Sequence, residues 1–250
     1  MKRIITLLAI VALCQFSAFG QKKYEMVVEK TDGTEIIVNV DDIVRTYFRE
    51  RGGSFDITYC PDGNHPHMID LGLPSGTKWA CCNVGASNPE DFGGYYAWGE
   101  TLTKNRYAWD TYLYGSSNSN VVNIGSDISG TQYDVAHVSW GGGWHMPNLT
   151  EATELVEKCT YQQAFVELNG VRGRKITGPN GNSIFLPFSG VFIDNEIKWV
   201  GQVGDYWLSE LWPDEDNSAY WLYNFVDEDG DYNDGEGFRY VGYTVRPVTK

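Results

Sequence analysis

Glycines divide the chain from Met68 onward into short apolar runs, and this texture limits the fold more than any other feature of the sequence. The 250 residues include 28 glycines and 9 tryptophans. Glycine permits tight turns that other residues disfavour, and tryptophan supplies a large buried area per residue. The combination favours many strands and turns over a helical bundle. We therefore expect an α+β fold with two short helices and antiparallel strands.

Two segments carry helical signals. The sequence predicts a helix over residues 147–159, in which Asn148 is the cap and Glu151 reaches back to it as in a capping box. One face of this helix is apolar at helical spacing, so its last member, a cysteine, is expected to point into the core. The residues of that face are Ala152, Leu155, Val156 and Cys159. A second, shorter helix is predicted near residues 88–91, with Pro89 at its first position.

The first twenty residues have the order of a signal peptide: a positive start, an apolar run over residues 4–13, and small residues at Ala18 and Gly20. The apolar run is too short to cross a bilayer, which takes about 20 apolar residues. We expect cleavage after Gly20. The alternative is lipoprotein processing at Cys14, although the residue before it is not small. No later segment is long and apolar enough for a membrane span, so a secreted, cell-surface or periplasmic protein is expected.

Residues 21–48 are predicted to form a small β-hairpin unit. Asp32-Gly33 suits a tight hairpin turn, and the β-branched run Ile36–Val40 is typical of the returning strand. An isolated hairpin is only marginally stable in water, so we expect it to dock on the main domain or on a partner. Residues 49–67 have the composition of a linker, and residues 68–250 are predicted to form the main domain.

The chain is strongly acidic. Its formal net charge is −14, and removal of residues 1–20, which hold two positive and no negative charges, leaves −16. Nucleic acids select basic surfaces, so this class of partner is excluded. Eleven acidic residues and no Lys or Arg lie between Asp205 and Glu236. Because like charges at this density repel, the stretch favours a bound cation, a basic partner or a conformation in which the carboxylates are spread apart in solvent.

The same C-terminal region is rich in aromatic residues. In alternating runs such as Tyr220–Tyr223 one face must belong to the core, and the other face is a candidate contact surface. Aromatic rings pack on the apolar faces of sugars, and carboxylates accept hydrogen bonds from hydroxyls. The sequence therefore predicts a non-catalytic binding module for a glycan or a protein. The predicted contact residues are Trp199, Tyr206, Trp207, Trp212, Asp214, Tyr220, Trp221 and Tyr240.

Residues 227–236 resemble a calcium loop in composition, with oxygen donors at alternate positions and glycines that permit a sharp turn. The glycine falls at the wrong offset for an EF-hand. Two interpretations stay open, a calcium site and a long exposed hairpin tip that carries charge, and no cofactor is required. The calcium ligands would be Asp227, Asp229, Asp231, Asn233 and Asp234.

The sequence predicts no enzyme. It contains no G-x-S-x-G, no H-E-x-x-H and no phosphate-cradling Gly-Lys loop. His137 and His145 have side chains that can act as a general acid or base. Because they lie beside Trp140 and Trp144 in the sequence, we expect both to be packed structural residues. His65 and His67 lie in the polar linker and are expected to be solvated, and the cysteine spacing does not suggest zinc.

Six runs occur in order through residues 68–250. They are DLGLPSGTKWA from Asp70, CNVGA from Cys82, GYYAWGE from Gly94, VSWGGGWHMP from Val138, TGPNGNSIFLP from Thr177 and YTVRPV from Tyr243. This series resembles the Fibrobacter succinogenes major paralogous domain family. The resemblance implies a C-type-lectin-like fold, a distant relation to formylglycine-generating enzymes and to variable ligand-binding proteins, and no settled activity. Family members often have Arg where this chain has His145.

Four cysteines follow residue 20, and they allow three pairings. Cys81 and Cys82 are adjacent, and a bond between neighbours is strained. The resemblance favours a disulfide between Cys82 and Cys159, with Cys60–Cys81 as the weaker alternative. It also implies a catalytic cysteine pair near the C-terminus of the enzyme relatives, and no cysteine follows Cys159 here.

Three classes of function follow from these observations. The first is the secreted or cell-surface binding module. The second is an envelope structural or assembly protein, in which the N-terminal hairpin adds a strand to a partner's sheet. The third is a divergent enzyme of the formylglycine-generating lineage, which the missing late cysteines disfavour.

Overall fold

The computed structural model describes residues 25–29, 35–39, 67–161, 165–213, 215–225 and 234–250. The chain divides into two compact units, Met1–Ser54 and Phe55–Lys250. The division falls inside the segment predicted as a linker. The predicted signal peptide, with Cys14 and its cleavage site, lies outside the described residues.

The described residues form small antiparallel sheets with two short α-helices, so the predicted α+β class with antiparallel strands is confirmed. The strands are β1 Glu25–Glu29, β2 Glu35–Asn39, β3 Met68–Asp70, β4 Lys78–Ala80, β5 Gly115–Ser117, β6 Asn120–Val121, β7 Thr160–Tyr161, β8 Val166–Leu168, β9 Val171–Thr177, β10 Ser183–Pro187, β11 Val191–Ile193, β12 Glu196–Lys198, β13 Val203–Leu211, β14 Ser218–Phe225, β15 Asp234–Phe238 and β16 Val248–Thr249. The helices are α1 Val135–Trp140 and α2 Leu149–Lys158, and a 3-10 turn spans Trp109–Thr111.

Strands β1 and β2 pair antiparallel as the sequence predicts, with Val27 opposite Ile37. In the second unit the sheets have the orders β13-β14-β15, β10-β9-β7 with β8 also on β9, and β16-β4-β3. In the last of these, the end of the chain pairs with β4, because Val248 lies opposite Trp79. The two ends of the main domain are therefore fastened in one sheet. None of the helices in the described segments is long and apolar enough to cross a membrane.

Strand β13 separates the two main packing clusters. Successive side chains of a strand point to opposite faces. Accordingly, Trp207 packs in one cluster with Trp98, whereas Tyr206 and Leu208 pack in the other with Leu155. Both faces of this strand are covered, so it has no solvent-facing side over Val203–Ser209.

Helix α2 forms as predicted from local signals. The Asn148 side chain accepts a hydrogen bond from the Glu151 backbone N–H, and the Glu151 side chain accepts one from the Asn148 N–H. Ala152, Leu155 and Cys159 are buried, as their spacing predicts.

The second helix is not where the sequence predicts it. At residues 88–91 the Asp91 carboxylate accepts hydrogen bonds from the backbone N–H groups of Ser87 and Asn88, which closes a turn instead of starting a helix. Helix α1 lies at Val135–Trp140 instead, capped by Asp134, whose side chain accepts from two backbone N–H groups.

Arg246 is a fully buried cation that ties three segments together. Its Nη1 donates to the carbonyls of Ala80 and Cys81, each at 3.0 Å, and its Nη2 donates to that of Phe185 at 2.9 Å. Its Nε donates to Asn83 Oδ1 at 2.7 Å. A guanidinium presents a fixed fork of donors, so it can satisfy several carbonyls that the surrounding backbone leaves unpaired.

The predicted disulfide between Cys82 and Cys159 is wrong. Neither sulfur is in a disulfide, and the two residues are buried in different packing clusters. Cys81 is the disulfide-bonded residue. Cys60, its partner in the alternative pairing, lies outside the described residues. The expectation that His67 is solvated is also wrong, because His67 is buried with its ring centroid 4.5 Å from that of Trp140.

Candidate functional site

Three aromatic side chains meet at the surface of the second unit. Trp109 and Tyr240 have ring centroids 4.8 Å apart, and Phe238 lies 5.9 Å from Tyr240 with nearly parallel rings, 13° apart. Trp109 and Phe238 are 6.2 Å apart. Phe238 is 41% exposed, and the other two are half-buried. We call Trp109, Phe238 and Tyr240 the aromatic platform. Apolar rings grouped at a surface are typical of a contact site.

Arg239, between the two platform residues of the C-terminal segment, is fully buried and fixes them from below. Its guanidinium lies 4.8 Å from the ring centroid of Trp98, and its Nε donates to the Tyr112 hydroxyl at 2.8 Å. Its Nη1 and Nη2 donate to the carbonyls of Asp216 and Val122. The platform is therefore anchored to the core by an immobilised cation, which reduces the ordering cost of binding.

Trp109 begins the 3-10 turn, which is closed by a side chain. The Thr111 hydroxyl accepts from the Ala108 N–H at 3.2 Å and lies 2.9 Å from the Arg106 carbonyl. Just before it, Tyr107 is fully buried and its ring packs 4.8 Å from Phe192. This buried neighbour holds the turn at the edge of the core and leaves the Trp109 ring partly at the surface.

Charged groups lie beside the platform. Arg106 Nη1 is 2.6 Å from Asp110, and Nη2 is 3.9 Å from Asp194. The hydrogen bond from Arg106 lowers the pKa of Asp110. Burial raises the pKa of the Tyr240 hydroxyl, and the nearby Asp194 carboxylate raises it further. The site therefore offers ring faces together with one cation and two carboxylates that accept hydrogen bonds.

A second aromatic pair lies in the same C-terminal region. Trp212 and Tyr220 have ring centroids 4.7 Å apart, and both are half-buried. Trp212 donates its backbone N–H to the Ser218 carbonyl, which ties the start of the intervening loop to its end. Asp214, predicted as their neighbour in ligand contact, lies outside the described residues.

The predicted contact residues separate into core and surface. Tyr206 and Trp207 are fully buried, so the prediction that they contact ligand is wrong: β13 is covered on both faces. Trp221 is half-buried and packs 5.7 Å from Tyr243, at the edge of the core. Trp199 is 51% exposed just after β12, and no ring contact joins it to the platform in the described part of the chain. Tyr240, Trp212 and Tyr220 lie at the surface as described above.

Four of the five predicted calcium ligands, Asp227, Asp229, Asp231 and Asn233, lie outside the described residues. Asp234 opens strand β15, opposite Leu222, and its side chain is not among those described. The calcium interpretation therefore stays a prediction.

Both histidines considered for acid–base chemistry lie on or near helices. His145 is 18% exposed, its Nδ1 lies 2.8 Å from the Gly143 carbonyl, and its Nε2 lies 3.2 Å from Glu151. Burial alone would lower the pKa of His145, but the Glu151 carboxylate and the Gly143 carbonyl outweigh it and the pKa is raised. Both ring nitrogens thus face acceptors, which favours the charged imidazolium. His137 lies on α1 and is half-buried.

Trp109 and Phe238 are the platform residues that the predicted contact set lacks. The signal for Trp109 is the aromatic spacing Tyr107, Trp109, Tyr112, in which the outer two are buried and the middle one is at the surface. The chain separates it from Phe238 by more than half of the protein, so only the tertiary fold brings them together. No family model, no curated protein and no solved structure matches this chain.

Proposed function

We propose that this protein is an exported, non-catalytic binding module that holds its ligand on the aromatic platform. The observation that carries the proposal is the grouping of Trp109, Phe238 and Tyr240 at one surface above the buried Arg239. The C-type-lectin-like fold, implied by the sequence resemblance, and export, implied by the N-terminal segment, belong to the same proposal.

A neutral glycan suits the chemistry of the platform best. Sugar rings have apolar faces that pack on aromatic rings, and their hydroxyls donate to carboxylates such as Asp110 and Asp194, which are exposed beside the rings. The guanidinium of Arg106, which is exposed beside the rings, is already paired with Asp110. An anionic ligand would meet two carboxylates there, so the platform disfavours it. A protein that presents a basic or apolar loop is the alternative ligand.

A glycan array tests this proposal, with the wild-type protein compared with Trp109→Ala. We expect neutral oligosaccharides to bind the wild-type protein and to lose at least tenfold in affinity for the variant, which corresponds to about 1.4 kcal/mol. Near-ultraviolet circular dichroism checks that the variant is folded. Equal binding by both proteins would remove the platform from the site, and binding restricted to acidic glycans would refute the ligand class.

The Trp212–Tyr220 pair is the natural second arm of this experiment. If Trp212→Ala weakens binding and Trp109→Ala does not, the contact surface is the loop that Trp212 and Ser218 close. Loss in both variants would place the ligand across both aromatic groups.

A role in envelope assembly is the second candidate, because β1 and β2 form a two-stranded sheet in which, among the described strands, each pairs with the other alone. The outer edges of such a sheet carry backbone donors and acceptors that a partner strand can satisfy. Deletion of residues 21–48 should then abolish co-assembly in cell-envelope fractions and leave glycan binding by the rest of the chain unchanged. Retained assembly in the deleted protein would contradict this function.

A further inference from the structure

A group of side chains that can bind a metal ion lies apart from the aromatic platform. His67, Cys81 and Cys82 are all buried, and one ligating atom from each lies within 4.8 Å of the others. The group lies against Trp140, whose ring packs on that of His67, and beside Ala86. A buried imidazole next to two cysteine sulfurs is the donor set that soft and borderline metal ions prefer.

Two of the three donor spacings are close to those around a tetrahedral zinc ion. With Zn–S of about 2.3 Å and Zn–N of about 2.0–2.1 Å, two sulfurs at tetrahedral corners lie about 3.8 Å apart, and a sulfur and a nitrogen about 3.6 Å apart. Here the Cys81 and Cys82 sulfurs are 3.8 Å apart, and Cys81 Sγ is 3.9 Å from His67 Nδ1. The remaining distance, from Cys82 Sγ to the His67 ring, is at most 4.8 Å. Closing it to about 3.6 Å takes a movement of up to about 1.2 Å.

The backbone already holds the donors in place. Cys81 donates its N–H to the His67 carbonyl at 2.9 Å, which continues the pairing of β3 with β4. Arg246 Nη1 donates to the Cys81 carbonyl, which fixes the cysteine pair from the other side. Ligands on rigid, paired segments form a preorganised site.

The oxidation state of Cys81 decides whether the site can bind a metal. Cys81 is disulfide-bonded, and a disulfide sulfur is not the thiolate that ligates zinc. Reduction by a dithiol or phosphine supplies two electrons, and with two protons it yields the Cys81 thiol and the thiol to which Cys81 was bonded. Binding of the ion then releases the thiol protons.

A cavity lies beside Cys81. It has a volume of about 490 Å³ and is lined by Cys81 itself together with Ile69, Pro89 and Phe185. Cys81 is therefore in the wall of a cavity and not in the solid interior of a packing cluster.

We propose that His67, Cys81 and Cys82 form a redox-gated zinc site, closed to metal while Cys81 is in its disulfide and opened by reduction. This site is separate from the aromatic platform, so its test is independent of ligand binding there. The metal and the disulfide exclude one another, because each requires Cys81.

The test is a Co²⁺ titration of the full-length protein before and after anaerobic reduction with a phosphine, followed by removal of the reductant. We expect no thiolate-to-cobalt charge-transfer absorption in the oxidised protein and a band that saturates near one equivalent in the reduced protein. Added Zn²⁺ should bleach this band. Cys82→Ser and His67→Gln should each weaken Co²⁺ binding at least tenfold, whereas Cys159→Ser is the matched control, since its buried thiol lies in another cluster.

Two results would overturn the proposal: no charge-transfer band in the reduced wild-type protein, or an undiminished band in Cys82→Ser or His67→Gln. Near-ultraviolet circular dichroism establishes that each variant is folded. If a variant does not fold, alkylation of the reduced wild-type protein decides instead. Zn²⁺ should protect Cys81 and Cys82 from a thiol reagent, as read by peptide mass spectrometry, and equal labelling with and without Zn²⁺ would refute the site.

Discussion

Asp205 makes the stability of this protein depend on pH in an unusual direction. It lies on β13, its side chain is 4% exposed, and no donor among the described residues reaches its Oδ1. Burial raises the pKa of this carboxyl to about 8, and a charge on it would raise the pKa of the buried Tyr243. An unpartnered carboxyl in an apolar interior is therefore protonated at neutral pH.

The magnitude follows from the two pKa values. In the unfolded chain the pKa of Asp is about 3.9, so between about pH 4 and pH 8 the folded protein retains a proton that the unfolded chain has lost. The free energy of unfolding therefore falls as pH rises, by about 1.36 kcal/mol per pH unit, and levels off above pH 8. Over about four pH units the loss is roughly 5 kcal/mol.

Asp205→Asn removes this effect, because the amide has the same shape and no ionisable proton. We expect the variant to differ little from the wild-type protein near pH 4 and to become more stable than it by several kcal/mol near pH 8. Urea unfolding of both proteins at about pH 4, 6 and 8 measures the difference. Asp110→Asn is the control: its pKa is lowered by Arg106, so its difference from the wild-type protein should not grow over this range. A constant difference for Asp205→Asn would refute the reasoning.

Three further predictions concern buried interactions. The pKa of His145 is raised beside Glu151, so the stability that this pair contributes is full below about pH 6.5 and is lost as pH rises through the higher folded pKa. His145→Gln should therefore be less stable than the wild-type protein near pH 6, and unfolding curves of equal midpoint there would contradict this. Arg246→Met should cost roughly 3–5 kcal/mol of unfolding free energy, because it leaves buried carbonyls without donors. Arg246→Lys should not restore the loss, since one ammonium cannot span the same carbonyls, and full rescue in chemical denaturation would refute the account. A Cβ at Gly178 would lie 2.0 Å from the Leu71 carbonyl oxygen, so Gly178→Ala should lower the thermal midpoint by several degrees. Gly181→Ala is the control, because its Cβ would meet no atom within 4 Å and the substitution strains only the positive φ of the turn.

Local signals in the sequence predict local structure well. The capping box of Asn148 and Glu151 depends on residues three apart, and helix α2 forms where it predicts. The sequence predicts Tyr206 and Trp207 as contact residues, and this fails because packing clusters cover both faces of β13. Whether a strand has one or two covered faces depends on the rest of the fold.

The functional groups depend on contacts between distant segments. Trp109 meets Tyr240 across a long stretch of chain, where the buried Arg239 donates to Tyr112 beside the 3-10 turn, and no spacing rule contains that contact. His67 and Cys81 are fourteen residues apart and meet through the pairing of β3 with β4. The sequence therefore indicates the residue types of a binding surface, and the fold decides which of them share it.

Calorimetric titration of the best array ligand into Phe238→Ala and Trp199→Ala tests whether the aromatic platform is the contact surface. Both replaced side chains are exposed, at 41% and 51%, so each variant loses apolar surface. We expect at least a tenfold rise in the dissociation constant for Phe238→Ala and none for Trp199→Ala. An unchanged constant for Phe238→Ala, or an equal rise for both variants, would contradict this expectation.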